Sequence, residues 1–336
     1  MVLGLGSILL TVLLGPVLVK RVEQNIEIFF LGAGTLASAI AGQWGKNLLH
    51  AAVTTPIALT IAVLVFGVSM RVLRGTLDRG FERLLRLVAP RWIYFGLIVG
   101  LGLLSGVITA VIAALVLVEA IALLKLDRGS ETTATVLGCF SIGLGSALTP
   151  VGLPLGTIVI AALKTDFWYL ARLLGPLAVA GVVVVGAIGL VLPVQYGHSL
   201  TADTHTSGWS EIFVRAGKVY FFVAGLVGLS WALRPLVDQY ISRMPAWALF
   251  WINSISAIVD NATLAATEIG PSLTPAQQRG ALMGLLISGG MLIPGNIPNI
   301  VAAGRLGITS REWARVGLLA GIPLMVVCFV VLRWIG

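Results

Sequence analysis

Long apolar runs separated by short polar segments extend from one end of the chain to the other. Several runs have the length of about 20 residues that a helix needs to cross the hydrocarbon core of a bilayer. The runs predicted as plain spanning helices are Met1–Val19, Ile26–Gly42, Leu48–Ser69, Ala171–Pro193, Ile212–Leu233 and Val316–Trp334. The pattern predicts an all-α polytopic membrane protein with short loops.

One apolar run, Trp92–Lys125, is too long for a single span and too short for two. Small residues near its middle predict a turn there: Gly100, Gly102, Ser105 and Gly106. A re-entrant hairpin, which enters and leaves the membrane on the same side, fits this length. One long tilted helix is the alternative.

Two other apolar runs are interrupted by proline-rich clusters. Thr132–Leu163 contains Thr149–Pro154, and Gly280–Leu306 contains Pro294–Asn299. Each cluster has two prolines spaced by four residues, and each proline removes a backbone hydrogen-bond donor. The sequence therefore predicts two broken transmembrane helices, and a third apolar run with polar insertions, Ala246–Ile269, predicts a second re-entrant hairpin.

The two halves of the chain resemble each other. Ser105–Glu119 aligns with Ser254–Glu268 without a gap, and each proline pair is followed by a short apolar segment, a tryptophan and an arginine. If Trp92–Lys125 is a hairpin, each repeat crosses the membrane three times, and an odd number inverts the second copy. We predict two inverted-topology repeats, residues 46–195 and 212–336, preceded by N-terminal membrane helices, residues 1–45.

Polar connectors give a weaker indication of topology. Arg71–Arg91 alternates arginines with leucines and valines, which predicts an amphipathic helix on the cytoplasmic membrane surface; a simple loop is the alternative. The corresponding connector Arg234–Pro245 has fewer basic residues, as expected on the opposite side. The polar linker at 196–211 joins the repeats.

Composition narrows the class of protein. The 336 residues are 58% hydrophobic and 11% charged, with a mean hydropathy of +1.01, which excludes an ordinary soluble domain. The net charge of +8 comes from basic residues in short loops, so a nucleic-acid partner is not expected. Cys139 and Cys328 are predicted to be buried free thiols, without a disulfide or a metal site. We expect a multi-pass protein of the inner (plasma) membrane.

Carboxylates inside apolar runs are the first candidate functional groups, because they are costly in a membrane unless they line a site. Asp260 is flanked by the neutral oxygens of Asn261 and Thr263, while Glu119 and Glu268 correspond in the repeat. These five residues are the candidate cation and proton site. A helix cap is the alternative for Asp260, and an ion-paired or solvated hairpin end is the alternative for the glutamates.

The helix interruptions supply further candidate ligands. Freed backbone carbonyls, hydroxyls and side-chain amides offer the oxygen atoms that suit a hard cation such as sodium, and they can also donate to an anion. The candidates are Ser146, Thr149, Pro150, Gly152, Ser288, Gly295, Asn296 and Asn299. A sodium ion or proton is the only coupling species required, with no cofactor.

The residues named above also carry a family resemblance. Pro16–Glu27, the pair Asp260-Asn261 and the interruption Gly295–Asn299 resemble the DUF1646 group of cation transporters. That group is similar to the ion transporter superfamily of NhaD-type sodium/proton antiporters, arsenite efflux permeases and divalent-anion/sodium symporters. The resemblance implies a homodimer, two scaffold helices per repeat, a cation and proton site at Asp260-Asn261, and backbone ligands at Asn296–Asn299.

One departure from the superfamily bears on the substrate. Divalent-anion symporters have a Ser-Asn-Thr motif at both hairpin tips, whereas this chain has Asp260-Asn-Ala-Thr263 in the second repeat and Val111–Ala114 in the first. A symmetric carboxylate site is weakened by this difference.

The candidate residues and the family resemblance lead to two alternative transport functions. The first is sodium (or another cation)/proton antiport by alternating access at a midplane site between the repeats. The alternative is sodium-coupled transport of a small inorganic or carboxylate anion. An intramembrane enzyme is not expected, because HExxH, GxSxG and paired metal-binding aspartates are absent from the sequence.

Overall fold

The computed structural model is helical throughout the part of the chain that it describes. The described residues are 2–19, 21–22, 25–57, 60–61, 64–65, 68, 90–191, 209–240, 244–254, 258, 261–271 and 273–335. These ranges contain no β-strand, which confirms the all-α class for them. Most of the predicted amphipathic segment at 71–91 and of the polar linker at 196–211 lies outside the described residues.

Residues 46–57 are helical in addition to the helices named next. In chain order they are α1 (Val2–Leu18), α2 (Ile26–Ile40), α3 (Pro90–Ile108), α4 (Ala110–Leu124), α5 (Arg128–Ser146), α6 (Pro154–Leu163), α7 (Tyr169–Val191), α8 (Trp209–Tyr240), α9 (Ala246–Ile252), α10 (Asn261–Glu268), α11 (Pro275–Gly289), α12 (Ile297–Leu306) and α13 (Ser310–Ile335). A 3-10 helix at Ile293–Gly295 precedes α12.

Four of the described helices are long and apolar enough to cross a membrane: Arg91–Ile108, Tyr169–Val191, Ile212–Leu233 and Ser310–Ile335. Their outer faces carry exposed apolar side chains, such as Val107, Val191 and Leu319, which are 70%, 85% and 72% exposed. A soluble surface rarely carries such contiguous apolar faces. The helices therefore indicate a membrane protein.

Two helices form the buried centre of the molecule. α5 is buried on all sides from Ala134 to Ser146, and α11 from Gly280 to Gly289. They pack against each other and against the long helices α7 and α13. Both interruptions of the chain follow directly on these central helices.

Small residues allow several helices to approach closely. A Cβ atom on Gly34 of α2 would lie 2.2 Å from the Gly225 carbonyl oxygen of α8, and the Ser38 hydroxyl donates to the Gly228 carbonyl oxygen at 2.9 Å. Similarly, a Cβ atom on Gly145 of α5 would lie 1.9 Å from the Gly102 carbonyl oxygen of α3. Contacts of this kind are typical of helix association in membranes.

The predicted turn within Trp92–Lys125 is present, but its predicted position is wrong. Gly102, Ser105 and Gly106 lie inside α3, and the chain breaks at Thr109, whose φ and ψ are 75° and 147°. The glycines serve the close contact with α5 instead of a turn. Because α3 and α4 are separate helices, one long tilted helix is excluded.

Both predicted interruptions are present. Residues 147–153 separate α5 from α6, and residues 290–296 separate α11 from α12. Pro154 and Pro298 lie in the first turn of α6 and α12, where a missing backbone N–H costs nothing. The second proline of each pair therefore starts the new helix.

An arginine fixes the far end of α12. Arg128, at the start of α5, donates to the carbonyl oxygens of Leu306 at 2.9 Å and Gly307 at 2.7 Å, and it binds the Glu312 carboxylate of α13 at 2.8 Å. These bonds satisfy carbonyl groups that the end of a helix leaves free. The end of α12 that is remote from the interruption is thus held against α5.

Candidate functional site

Buried asparagines surround the second interruption. Asn299, in the first turn of α12, donates from Nδ2 to the carbonyl oxygens of Gly289 at 2.8 Å and Leu292 at 2.9 Å. These bonds hold the interrupted backbone in a tight loop. The Oδ1 atom of Asn299 is buried and has no hydrogen-bond partner among the described residues.

Asn296 connects this loop to the other central helix. A Cβ atom on Gly143 of α5 would lie 3.0 Å from Asn296 Nδ2, so the amide packs closely against a position that has no side chain. Asn296 is 1% exposed, and within the described structure neither Oδ1 nor Nδ2 has a partner. Its amide is therefore a buried polar group that lacks its normal hydrogen bonds.

Asn261 approaches the same loop from α10. A Cβ atom on Gly289 would lie 3.4 Å from Asn261 Nδ2 and 3.0 Å from the Gly295 carbonyl oxygen. The amide of Asn261 and the carbonyl group of Gly295 thus meet over Gly289. Asn261 Nδ2 is buried and also without a partner in the described part of the chain.

Ser288 has a different role from the asparagines. Its buried hydroxyl lies 2.7 Å from the carbonyl oxygen of Asn253, which follows α9, and 2.6 Å from that of Gly284 in α11, and its one proton is shared between these two acceptors. Asn253 in turn donates from Nδ2 to the Ala281 carbonyl oxygen at 3.0 Å. These contacts support the wall of the site.

The polar groups of the first interruption form more hydrogen bonds within the described structure than those of the second. The Thr149 hydroxyl donates to the Gly106 carbonyl oxygen, and it accepts from the Val151 N–H at 3.2 Å. The Gly152 carbonyl oxygen accepts from the Ala110 N–H at 2.8 Å, which joins the loop to the start of α4. The remaining candidates, Ser146 and Pro150, are bonded too, through Ser146 Oγ to the Gly143 carbonyl oxygen and through the Pro150 carbonyl oxygen to Thr157.

The two glutamates that correspond in the sequence have different environments. Glu119 of α4 forms an ion pair with Arg305 of α12, with Oε1 at 2.6 Å from Nη2 and 2.9 Å from Nε. Glu268, at the end of α10, is 7% exposed and its Oε2 has no partner among the described residues. Asn253 is the side chain within hydrogen-bonding reach of Glu268.

The candidate residues do not all come together. Asn261, Gly295, Asn296 and Asn299 meet at the second interruption. Glu268 lies seven residues further along α10, about 10 Å away at the rise of an α-helix. Glu119 lies nine residues after Ala110, the first residue of α4, and it is paired with Arg305 of α12.

Two of the predicted site residues are not described. Asp260 lies outside the described residues, and Thr263 lies in α10 with its side chain not described. Their predicted roles stay predictions. No group of three or more His, Cys, Asp or Glu side chains that could hold a metal ion occurs in the described part of the chain. Cys139 and Cys328 are buried and free, as predicted.

Sequence reasoning missed three residues of this region: Gly143, Asn253 and Gly289. Asn253 stands in an apolar run, which is a usable signal because amides are uncommon there. Gly143 and Gly289 carry no such signal, because the chain has 40 glycines and their role depends on what faces them.

Comparison with known proteins gives a family without an assigned activity. No curated protein matches the chain. The family model described as "Protein of unknown function (DUF1646)" matches residues 2–335. Because this match covers nearly the whole chain, the protein belongs to the DUF1646 family.

Proposed function

We propose that this protein is a secondary active transporter that exchanges sodium, or another small cation, for protons. The observation that carries the proposal is the cluster of buried amides at the second interruption. Asn261, Asn296 and Asn299 all have a polar atom without a hydrogen bond to a described residue. Each such atom costs about 1–3 kcal/mol when buried. A bound cation would remove that cost for the Oδ1 atoms of Asn296 and Asn299, because an amide oxygen can bind a cation and an amide N–H group cannot.

The transporter has two repeats on this proposal. The helix pair α3–α4, the interrupted helix α5–α6 and the long helix α7 correspond to α9–α10, α11–α12 and α13. Several details support the match. α6 and α12 are both 10 residues long and end in left-handed residues, Lys164 and Gly307, while α7 and α13 both contain a proline, Pro176 and Pro323.

The packing between the halves supports the same assignment. α4 of the first half packs against α12 of the second, and α6 of the first packs against α10 of the second. These two contacts exchange places if the repeats are exchanged, as a two-fold axis between them requires. We assign α3–α4 and α9–α10 as re-entrant hairpins, which leaves three crossings per repeat and inverts the second copy.

The cation would bind where α10, α11 and α12 meet beside α5. The Oδ1 atoms of Asn296 and Asn299 and the Gly295 carbonyl oxygen are suitable ligands for a hard cation. Asp260, the residue before Asn261 in the sequence, adds the carboxylate that either a cation or a proton can neutralise. Exchange follows because one carboxylate does not hold both at once.

The glutamates divide into two roles. Glu268 is buried without a described cationic partner, so it is a second proton-binding group in this proposal. Glu119 is neutralised by Arg305 and holds α4 to α12. In this scheme, alternating access at the inner membrane moves the hairpins and interrupted helices relative to the remaining helices.

A second candidate function is sodium-coupled transport of a small anion. The unpartnered Nδ2 atoms of Asn261 and Asn296 favour it, because amide N–H groups donate hydrogen bonds to oxyanions. The two functions are distinguished by Asp260→Asn. This change abolishes cation/proton exchange, whereas anion binding tolerates the loss of a negative charge.

Proton flux in proteoliposomes tests the proposal. Purified protein is reconstituted with a pH-sensitive dye inside, and sodium, lithium, potassium and small anions are added in turn outside. We expect proton movement with at least one cation and none in protein-free liposomes. An absence of proton movement with every ion tested would contradict cation/proton exchange.

A further inference from the structure

A cavity lined by two arginines lies at the end of the molecule where α9 and α11 begin and α13 ends. Its volume is about 270 Å³. The lining residues that matter here are Trp247, Phe250, Arg279, Phe329, Leu332 and Arg333. The described residues that line it include two arginines and no carboxylate.

The two arginines remain available to a ligand. Arg279 donates from Nε to the Leu173 carbonyl oxygen at 3.2 Å, which fixes its guanidinium group and leaves the terminal nitrogens free to bind elsewhere. Arg333 is exposed in the last turn of α13. Neither forms an ion pair with a described carboxylate, so the cavity carries two uncompensated positive charges.

The remaining walls are apolar and aromatic. Phe250 and Phe329 pack with ring centroids 5.6 Å apart, and Trp247 is 53% exposed beside them. The backbones of α9 and α11 close the wall between them, since a Cβ atom on Gly280 would lie 3.0 Å from the Ala246 carbonyl oxygen. The cavity thus has a cationic mouth and apolar sides.

The location matches the surface of a bilayer. The long apolar helix α13 ends at Ile335, and the exposed start of α11 lies at the same end. Tryptophan and arginine at such helix ends lie at the level of lipid headgroups. Guanidinium groups bind phosphate oxygens in pairs, which an ammonium group does not do.

We propose that this cavity binds the phosphate of an anionic glycerophospholipid, with its acyl chains along Phe250, Phe329 and Leu332. The apolar walls favour a lipid over a soluble phosphate ester, because they offer nothing to a free hydrophilic anion. This site is separate from the buried asparagine cluster, and its test does not depend on transport.

Native mass spectrometry of the full chain in neutral detergent tests the proposal. The protein is titrated with phosphatidylglycerol and, separately, with phosphatidylcholine that has the same acyl chains. We expect one phosphatidylglycerol to bind at least about tenfold more tightly than phosphatidylcholine, since charge-assisted contacts are worth that much. Equal binding of the two lipids by the wild-type protein overturns the proposal.

Variants locate the site. The double variant Arg279→Gln/Arg333→Gln should lose the preference for phosphatidylglycerol, while Arg315→Gln, an exposed arginine near the other end of α13, should keep it. Arg333→Gln alone, which removes no described hydrogen bond, should weaken binding by at least about threefold if the double variant does not fold. A preference that survives in these variants, or is lost equally in Arg315→Gln, contradicts the assignment.

The source of the phosphate is tested by competition. Glycerol phosphate, which has the same phosphate group but no acyl chain, should not displace the bound lipid at a concentration equal to that of the lipid. Complete displacement would assign the cavity to a soluble phosphate ester and overturn the lipid proposal.

Discussion

The two helix interruptions differ in how completely their buried polar groups are hydrogen-bonded. At the first, Thr149 and Gly152 are bonded to the residues around the α3–α4 break, and the loop is joined to its neighbours. At the second, Asn296 and Asn299 retain buried atoms without a described partner. In the proposed function, the first interruption contributes to stability and the second binds a ligand.

The carboxylates repeat this difference. Glu119 has Arg305 of α12 as its partner, whereas α6, which packs against α10, is made of apolar and uncharged residues and offers no arginine to Glu268. If the two halves are repeats, as proposed, they hold one neutralised and one available carboxylate at corresponding positions. The following substitutions test that asymmetry.

Asn296→Ala should have the largest effect on transport. It removes Oδ1, one of the proposed cation ligands. We expect exchange to fall by up to about 100-fold, because one contact to a charged group is worth about 1.5–3 kcal/mol. Thermal unfolding should change little, because the amide makes no described hydrogen bond. Transport close to that of the wild type would show that the asparagine cluster is not the site.

Gly152→Ala should have the largest effect on stability. Its Cβ atom would lie 2.0 Å from the Ser146 carbonyl oxygen, and backbone cannot move aside cheaply. We expect a loss of about 3 kcal/mol in unfolding free energy, or failure to fold, measured by thermal unfolding in detergent.

Gly289→Ala is the comparable change beside the second interruption, at the last residue of α11. Its Cβ atom would lie 3.0 Å from the Gly295 carbonyl oxygen and 3.4 Å from Asn261 Nδ2, which small shifts can accommodate. The protein should fold, and its transport should drop by about tenfold because the methyl group displaces the Gly295 carbonyl oxygen, a proposed ligand. A loss of unfolding free energy as large as that of Gly152→Ala would contradict the expected difference in stability between the two variants.

Glu119→Gln should act mainly on stability, and Glu268→Gln mainly on transport. Loss of the Glu119–Arg305 ion pair, which is partly buried, should cost about 1–3 kcal/mol and leave exchange measurable. Glu268→Gln keeps the shape of the side chain but cannot exchange a proton, so it should alter the dependence of transport on pH. Identical effects of the two variants would contradict their separate roles.

Thr149→Val should have the smallest effect. It removes the hydrogen bond to the Gly106 carbonyl oxygen, which is worth about 1 kcal/mol, and it keeps the side-chain shape. Transport should stay within about twofold of the wild-type rate. A loss of transport comparable with that of Asn296→Ala would assign the first interruption to the site as well.

The sequence was sufficient to predict the helix class and both interruptions. Proline lacks a backbone N–H, so Pro154 and Pro298 limit where a helix can continue whatever surrounds them. The position of the turn at Thr109 was predicted wrongly because it depends on the hydrogen bond from the Ala110 N–H to the Gly152 carbonyl oxygen. The sequence around Thr109 contains no signal of that hydrogen bond. The glycines that suggested the turn serve helix packing.

The partners of the candidate residues could not be predicted. Arg305 lies 186 residues from Glu119 in the sequence, and the contact exists only because α12 crosses to the first half. Gly143 and Asn296 meet for the same reason. Local pattern identifies which residues are unusual in an apolar run, whereas their bonding state depends on the tertiary structure.

Equilibrium binding of radioactive sodium to the purified protein tests whether the asparagine cluster at the second interruption holds the cation. We expect saturable binding by the wild type that protons displace as the pH falls, no saturable binding by Asn296→Ala, and nearly unchanged binding by Thr149→Val. Equal binding by wild type and Asn296→Ala, with protons unable to compete, would contradict this expectation.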